Sequence, residues 1–356
     1  MQSAGAERGL SSRLWGRSFV HPVLEYLLVG GGLSLAVTAL VFWRSNHSTL
    51  LDTATLAGVV LASNSSHFAA STVRLYSKPG SVRTWPFLTM LFPLVALSVL
   101  TLAIFQSQHL GSHLQALYLS WSPFHYAAQA YGLAVVYSHR SGCRLSPGDK
   151  RLLRGVALLP FFYALLTTPG AGLFWFLSKE QIRSVPVAAH AVRALAAALP
   201  VLGFLAPAAL YLKIWRSPGG PMPLIGILAV LANGVWWFVL PARQAFVWAT
   251  VFHGLQYLVI VIIFHVKDRV ASPENRHGWL FHTAWFYGTS LLLGYGLFYC
   301  LPWAYSLAGF GMVESMLLVV AAINVHHFVV DAYIWKLRPG DSNRRVVEAG
   351  VLSPAY

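Results

Sequence analysis

An all-α bundle of membrane-spanning helices is the fold class this chain predicts, and three observations predict it. Of 356 residues, 56% are hydrophobic and only 10% charged, whereas soluble domains run near a quarter charged. Mean hydropathy is +0.60. Ten apolar stretches are each long enough to cross the hydrocarbon core of a bilayer, which takes ~20 helical residues. They cover 22–43, 53–76, 84–106, 114–137, 152–177, 186–212, 222–241, 245–266, 279–301 and 309–335. This composition excludes a disordered chain, a collagen, a coiled coil and a secreted disulfide scaffold. The two cysteines, Cys143 and Cys300, are too far apart in sequence for a CxxC redox pair or a thiolate metal site.

The net charge of +14 is distributed by topology. With ten spans, the alternate connecting segments carry 20 Lys and Arg on one side and 4 on the other, with Arg193 inside the sixth stretch. That bias places both termini in the cytoplasm and removes the case for nucleic acid as a partner. The chain then divides into a cytoplasmic N-terminal segment (1–21), a ten-span domain (22–335) and a cytoplasmic tail (336–356). The first stretch is too long for a removable signal peptide and lacks a small-residue cleavage site. Short loops leave no room for a soluble domain or a nucleotide-binding cassette, so any chemistry belongs inside the bundle or at its cytoplasmic mouth. Glu25, just inside the first stretch, is expected at the interface. The sequon Asn46-His47-Ser48 falls on the outer side. Arg-heavy, Ala/Leu-rich usage fits a multi-pass protein of the bacterial cytoplasmic membrane.

Histidine carries the functional signal. There are fourteen, and polar side chains buried in a membrane are costly and usually functional. His67, His125, His253 and the pair His326–His327 lie in the second, fourth, eighth and tenth stretches, all running from outside to inside. Each precedes a basic residue at the cytoplasmic boundary (Arg74, Arg140, Lys267, Lys336) by 7 to 15 positions. At ~1.5 Å per residue these five imidazoles fall in one slab, roughly 10–22 Å above that boundary.

A neutral imidazole is the commonest metal ligand, and burial favours the neutral form. The expected metal ligands are therefore His67, His125, His253, His326, His327 and Asp331. Asp331 lies four residues after His327, on the same helical face, and either ligates or orients an imidazole. Asp331 and Tyr257 are the expected catalytic groups. Gln129, Tyr131, Gln256, Asn324 and His282 are expected to flank the ligands. The segments 125–131 and 327–333 echo each other (His, then Gln or Asp four on, then Tyr), as an internal duplication would leave them.

The strings WSPFHYAAQAYG (121–132) and HHFVVDAYIW (326–335) resemble uncharacterised bacterial polytopic membrane proteins. In general character the chain also resembles the integral-membrane, histidine-rich metallo-oxygenases. It shares only the His326–His327 pair with them and lacks their HxxxH and HxxHH boxes, so no ligand map carries over. That resemblance implies an O2-activating oxidoreductase (a hydroxylase, desaturase or oxygenase) acting on a lipid-soluble substrate in lipid metabolism. It further implies a transition metal, di-iron ahead of copper or zinc, and an external electron donor or reductase. Three other chemistries remain compatible. One is a zinc hydrolase of lipid amides, with Asp331, Ser66 or Ser71 as partners. The others are a haem or haem–copper electron-transfer protein and a transporter.

Overall fold

The structure is a computed structural model, and it describes residues 14–44, 51–78, 80–336 and 342–348. The sequon at 46–48, His47, Arg8 and Arg13 lie outside the described residues. Every regular element among the described residues is helical, the form a backbone crossing a bilayer must take to satisfy its polar groups within each segment. The helices are α1 Pro22–Arg44, α2 53–77, α3 Phe87–Phe105, α4 Ser112–Arg140, α5 Pro147–Trp175 and α6 Pro186–Trp215. They continue as α7 Leu224–Val239, α8 Ala242–Val270, α9 279–307, α10 Met312–Ile334 and a short α11 Ser342–Glu348.

Helices thus occupy all ten expected stretches, and six of them (α1, α3, α5, α6, α8 and α10) are long and apolar enough to cross a membrane. That is compatible with an integral membrane protein. The other four fall short for visible reasons. α7 has only 16 residues. α2 and α4 carry polar residues such as Asn64, His67, His125 and Gln129, and α9 is studded with Trp and Tyr. Large apolar side chains on α3 and α6, among them Leu94, Leu102, Val201 and Leu205, lie on the outside, as lipid-facing surface requires.

Inside the bundle α2 is wedged among α8, α9 and α10, while α4 packs on α7 and α10. Four helices therefore meet around the second half of α2. Two glycines make the wedge possible. A Cβ on Gly254 of α8 would stand 2.9 Å from the Ser63 carbonyl oxygen, and one on Gly294 of α9 would stand 2.8 Å from that of Ser65.

Glu25 departs from the expectation that it sits at the interface. It is fully buried and satisfied: its carboxylate accepts from the backbone N–H of Phe19 (2.9 Å), Val20 (2.6 Å) and His21 (3.3 Å) and from the Tyr137 hydroxyl of α4 (2.6 Å). The segment before α1 is thereby folded back onto α4. Arg140 closes the same end. It donates to the Ser18 carbonyl (3.0 Å) and the Val347 carbonyl (3.4 Å) and lies over the Phe19 ring. The residues preceding α1 and the tail helix α11 therefore share one face of the bundle.

Replacing Glu25 by Ala strands three backbone donors and a tyrosine hydroxyl in the core. The expected loss is on the order of 3 kcal/mol, read as a lower thermal midpoint of the detergent-solubilised chain. A variant as stable as the parent contradicts this role.

Candidate metal centre

The site begins with a local irregularity in α2. Residues Leu61–Ser65 form a π-helical turn, a form seen mostly as single turns and often at functional sites. The Leu61 carbonyl takes both the N–H and the hydroxyl (2.7 Å) of Ser66. The Asn64 carbonyl accepts from His67 Nδ1 at 2.7 Å. A carbonyl only accepts, so His67 carries its proton on Nδ1 and presents the Nε2 lone pair. That Nε2 is buried with no hydrogen-bond partner.

A parallel deduction fixes His327. Ser71 donates its hydroxyl to the Phe68 carbonyl (2.9 Å), so its oxygen accepts from His327 Nδ1 at 3.0 Å. His327 Nε2 is left facing His125 Nε2 at 3.1 Å and Asp331 Oδ2 at 3.3 Å. His253 completes the ring of donors, its Nε2 also buried and unpartnered. Its backbone is held from behind: Gln129 donates to the His253 carbonyl (3.3 Å) and to Gln256 Oε1 (2.7 Å), and Gln256 donates to the Val29 carbonyl (2.5 Å).

The four imidazoles meet edge to face. Ring centroids are 4.9 Å apart for His67–His253, 4.7 Å for His67–His327, 5.0 Å for His125–His253 and 4.9 Å for His125–His327. Among the described residues, two groups of donors could hold a metal ion, the atoms of each within 4.8 Å of one another: His67, His253 and His327, and His125, His327 and Asp331. They share His327. Metal–nitrogen bonds of about 2.1 Å place neighbouring donors about 3.0 Å apart in an octahedron and about 3.4 Å apart in a tetrahedron. The 3.1 and 3.3 Å separations at His327 Nε2 are of that size. Apolar rings surround the donors: Phe68 and Phe328 lie against His327, His125 also packs on Phe328 (4.5 Å), and His253 on Tyr126 (4.2 Å). The donor set is nitrogen and oxygen only. Both cysteines are free, Cys143 bonding the Gly220 carbonyl instead.

Asp331 uses its second oxygen too, accepting from the Tyr257 hydroxyl at 2.7 Å. The Trp335 indole N–H donates in turn to the Tyr257 oxygen at 3.4 Å.

Of the expected ligands, the structure brings together His67, His125, His253, His327 and Asp331. It sets His326 apart: that ring stacks on Phe92 of α3 at 5.0 Å. The reason is elementary, because adjacent helical residues point about 100° apart and only one of a His-His pair can face a given centre. Among the expected flanking residues, Gln129 and Gln256 support the centre, and Tyr257, expected as a catalytic group, touches it through Asp331. His282 does not, bonding Asn275 at 2.7 Å beside His265 and His277. Tyr131 packs instead against the buried cluster that contains Cys143, Leu153 and Met222. Asn324 donates to the carbonyl of Val320 within its own helix. Two contributors escaped sequence reading. Trp335 was legible as the residue four after Asp331, and Gly254 carried no signal.

Comparison with protein-family models, curated proteins and solved structures gave no match.

A methyl group at position 254 would also sit 3.1 Å from His67 Nδ1. Gly254→Ala is therefore expected to destabilise by about 1–3 kcal/mol. Gly132→Ala meets nothing within 4 Å and should be neutral, or stabilising by up to about 1 kcal/mol. Thermal unfolding of the two variants side by side checks this, and equal midpoints would contradict the close approach of α2 and α8.

Proposed function

We propose that this chain is a membrane-embedded metalloenzyme: an O2-activating oxidoreductase that works on a lipid-soluble substrate. The observation that carries the reading is the convergence of four imidazoles and one carboxylate from four helices, two of the imidazoles with buried, unpartnered Nε2 atoms. Imidazole and carboxylate donors with no thiolate suit iron, copper, zinc or nickel, and a two-histidine, one-carboxylate face is the pattern of non-haem Fe(II) oxygenases. Compactness favours a single ion over the di-iron pair, since two ions would have to share five side-chain donors. It also speaks against haem, because the imidazole and phenyl rings pack directly on one another and leave no slot for a macrocycle.

A redox-active ion at this point supplies dioxygen binding and one-electron chemistry. The chain's own residues do the rest. The Asn64 carbonyl and Ser71 hold their imidazoles in the tautomer that offers Nε2. Phe68, Phe328 and Tyr126 keep water out. Tyr257 fixes one oxygen of Asp331 so that the other faces His125 and His327. Among the described residues, His125 and Asp331, with side chains 11% and 7% exposed, are the least buried of the five donors. Ala128 and Ala332, close by on α4 and α10, are small and exposed. An apolar substrate arriving from the lipid would meet the centre there. The orientation is read from the charge bias and the shared face of N-terminal segment and tail: both termini in the cytoplasm, ten crossings, most simply in a bacterial cytoplasmic membrane. In this reading an external donor or reductase supplies the electrons.

A zinc hydrolase is the second reading, supported by the three-imidazole group His67, His253 and His327, the ligand number a catalytic zinc takes.

Elemental analysis of the purified full-length chain is expected to find about one transition-metal ion per chain. His67→Ala and His253→Ala should each weaken retention by at least about tenfold, while His326→Ala keeps it. Iron or copper with donor-dependent oxygen uptake supports the oxidoreductase, and zinc with anaerobic ester or amide cleavage supports the hydrolase. A metal-free chain, or full metal content in both ligand variants, overturns the site.

A further inference from the structure

Trp335 stands where α10 ends, on the face that also holds Arg140, the pre-α1 segment and α11. It is half-buried, packed on Phe264 (ring centroids 5.4 Å) beside the cluster containing Val346 and Val347. Its indole N–H reaches the Tyr257 hydroxyl (3.4 Å), with the two rings 5.9 Å apart. Tyr257 is fully enclosed, donates to Asp331 (2.7 Å), and its ring lies 5.4 Å from those of both His67 and His327. An unbroken series of two oxidisable rings and one carboxylate thus runs from the basic end of the bundle to the ligand cluster.

We propose that Trp335 and Tyr257 relay single electrons from a cytosolic one-electron donor to the metal centre. This rests on the reading of the site as a redox centre oxidised by dioxygen. The balance is simple. Tyr257 gives one electron to the oxidised centre, and its phenolic proton crosses the hydrogen bond to Asp331. Trp335 then gives one electron to the tyrosyl radical, and the same proton returns from Asp331. The indole cation radical is refilled by the donor. The donor loses one electron, the centre gains one, and the relay ends unchanged. Tyr257 and Trp335 lie on different helices, so only the fold makes them neighbours.

The test uses the full chain in detergent, loaded with Fe(II) alone, exposed to air and then re-reduced with ascorbate while the centre and any organic radical are followed by freeze-quench electron paramagnetic resonance. Compared with the parent at equal iron content, Tyr257→Phe and Trp335→Phe should re-reduce more slowly by about tenfold or more. Trp335→Phe should accumulate a tyrosyl signal that ring-deuterated tyrosine narrows, Tyr257→Phe should show none, and Trp335→Tyr should recover much of the rate. Iron-replete variants that re-reduce at the parent rate overturn the relay alone. A parent chain that retains no iron overturns the redox reading, and the relay falls with it.

Discussion

The rest of the structure depends on one constraint: neutral imidazoles buried in an apolar bundle must have somewhere to direct their lone pairs. Each buried polar atom left without a partner costs about 1–3 kcal/mol. His67 and His253 both keep Nε2 unpartnered at the point where four helices meet. A core evolved for packing alone would replace such residues with leucine or phenylalanine. A metal ion at that point would offset the cost, since the apparent binding free energy of a multi-ligand site is on the order of 10 kcal/mol.

Much of the surrounding architecture serves to aim those lone pairs. The π-helical turn in α2 brings the Asn64 carbonyl to His67 Nδ1. The Ser71 hydroxyl, committed to the Phe68 carbonyl, does the same for His327. Gly254 and Gly294 let α2 approach closely enough for both to reach the centre, and the Gln129–Gln256 pair ties the His253 backbone to α4 and to Val29 of α1. Glu25 performs a purely structural task with the same economy, collecting three backbone N–H groups and one hydroxyl. Among the described residues, Glu25 and Asp331 are thus buried carboxylates of opposite kind. Glu25 is saturated by donors at the end of the bundle, while Asp331 keeps one oxygen turned toward the imidazoles.

Helical class, helix positions and the imidazoles of α2, α4 and α8 were legible in the sequence because hydrophobic run length and depth relative to basic boundary residues are one-dimensional quantities. Rotation about a helix axis is not. Depth alone could not tell His326 from His327, and it overvalued His282 and Asn324, whose partners are local. The i,i+4 relation between His327 and Asp331 did survive folding, because that spacing fixes azimuth as well as height. The same relation links Asp331 to Trp335, yet Trp335 was absorbed into the general abundance of aromatics at helix ends. The π-helical turn and the glycine contacts have no sequence signature, since they express how four helices fit together.

X-ray absorption spectroscopy at the edge of whatever metal copurifies tests the central claim most directly. The account predicts four or five nitrogen and oxygen scatterers at about 2.0–2.2 Å, with the outer-shell pattern of at least three imidazoles and no sulfur. A spectrum fitted by water or carboxylate oxygens alone, or by sulfur, would contradict it.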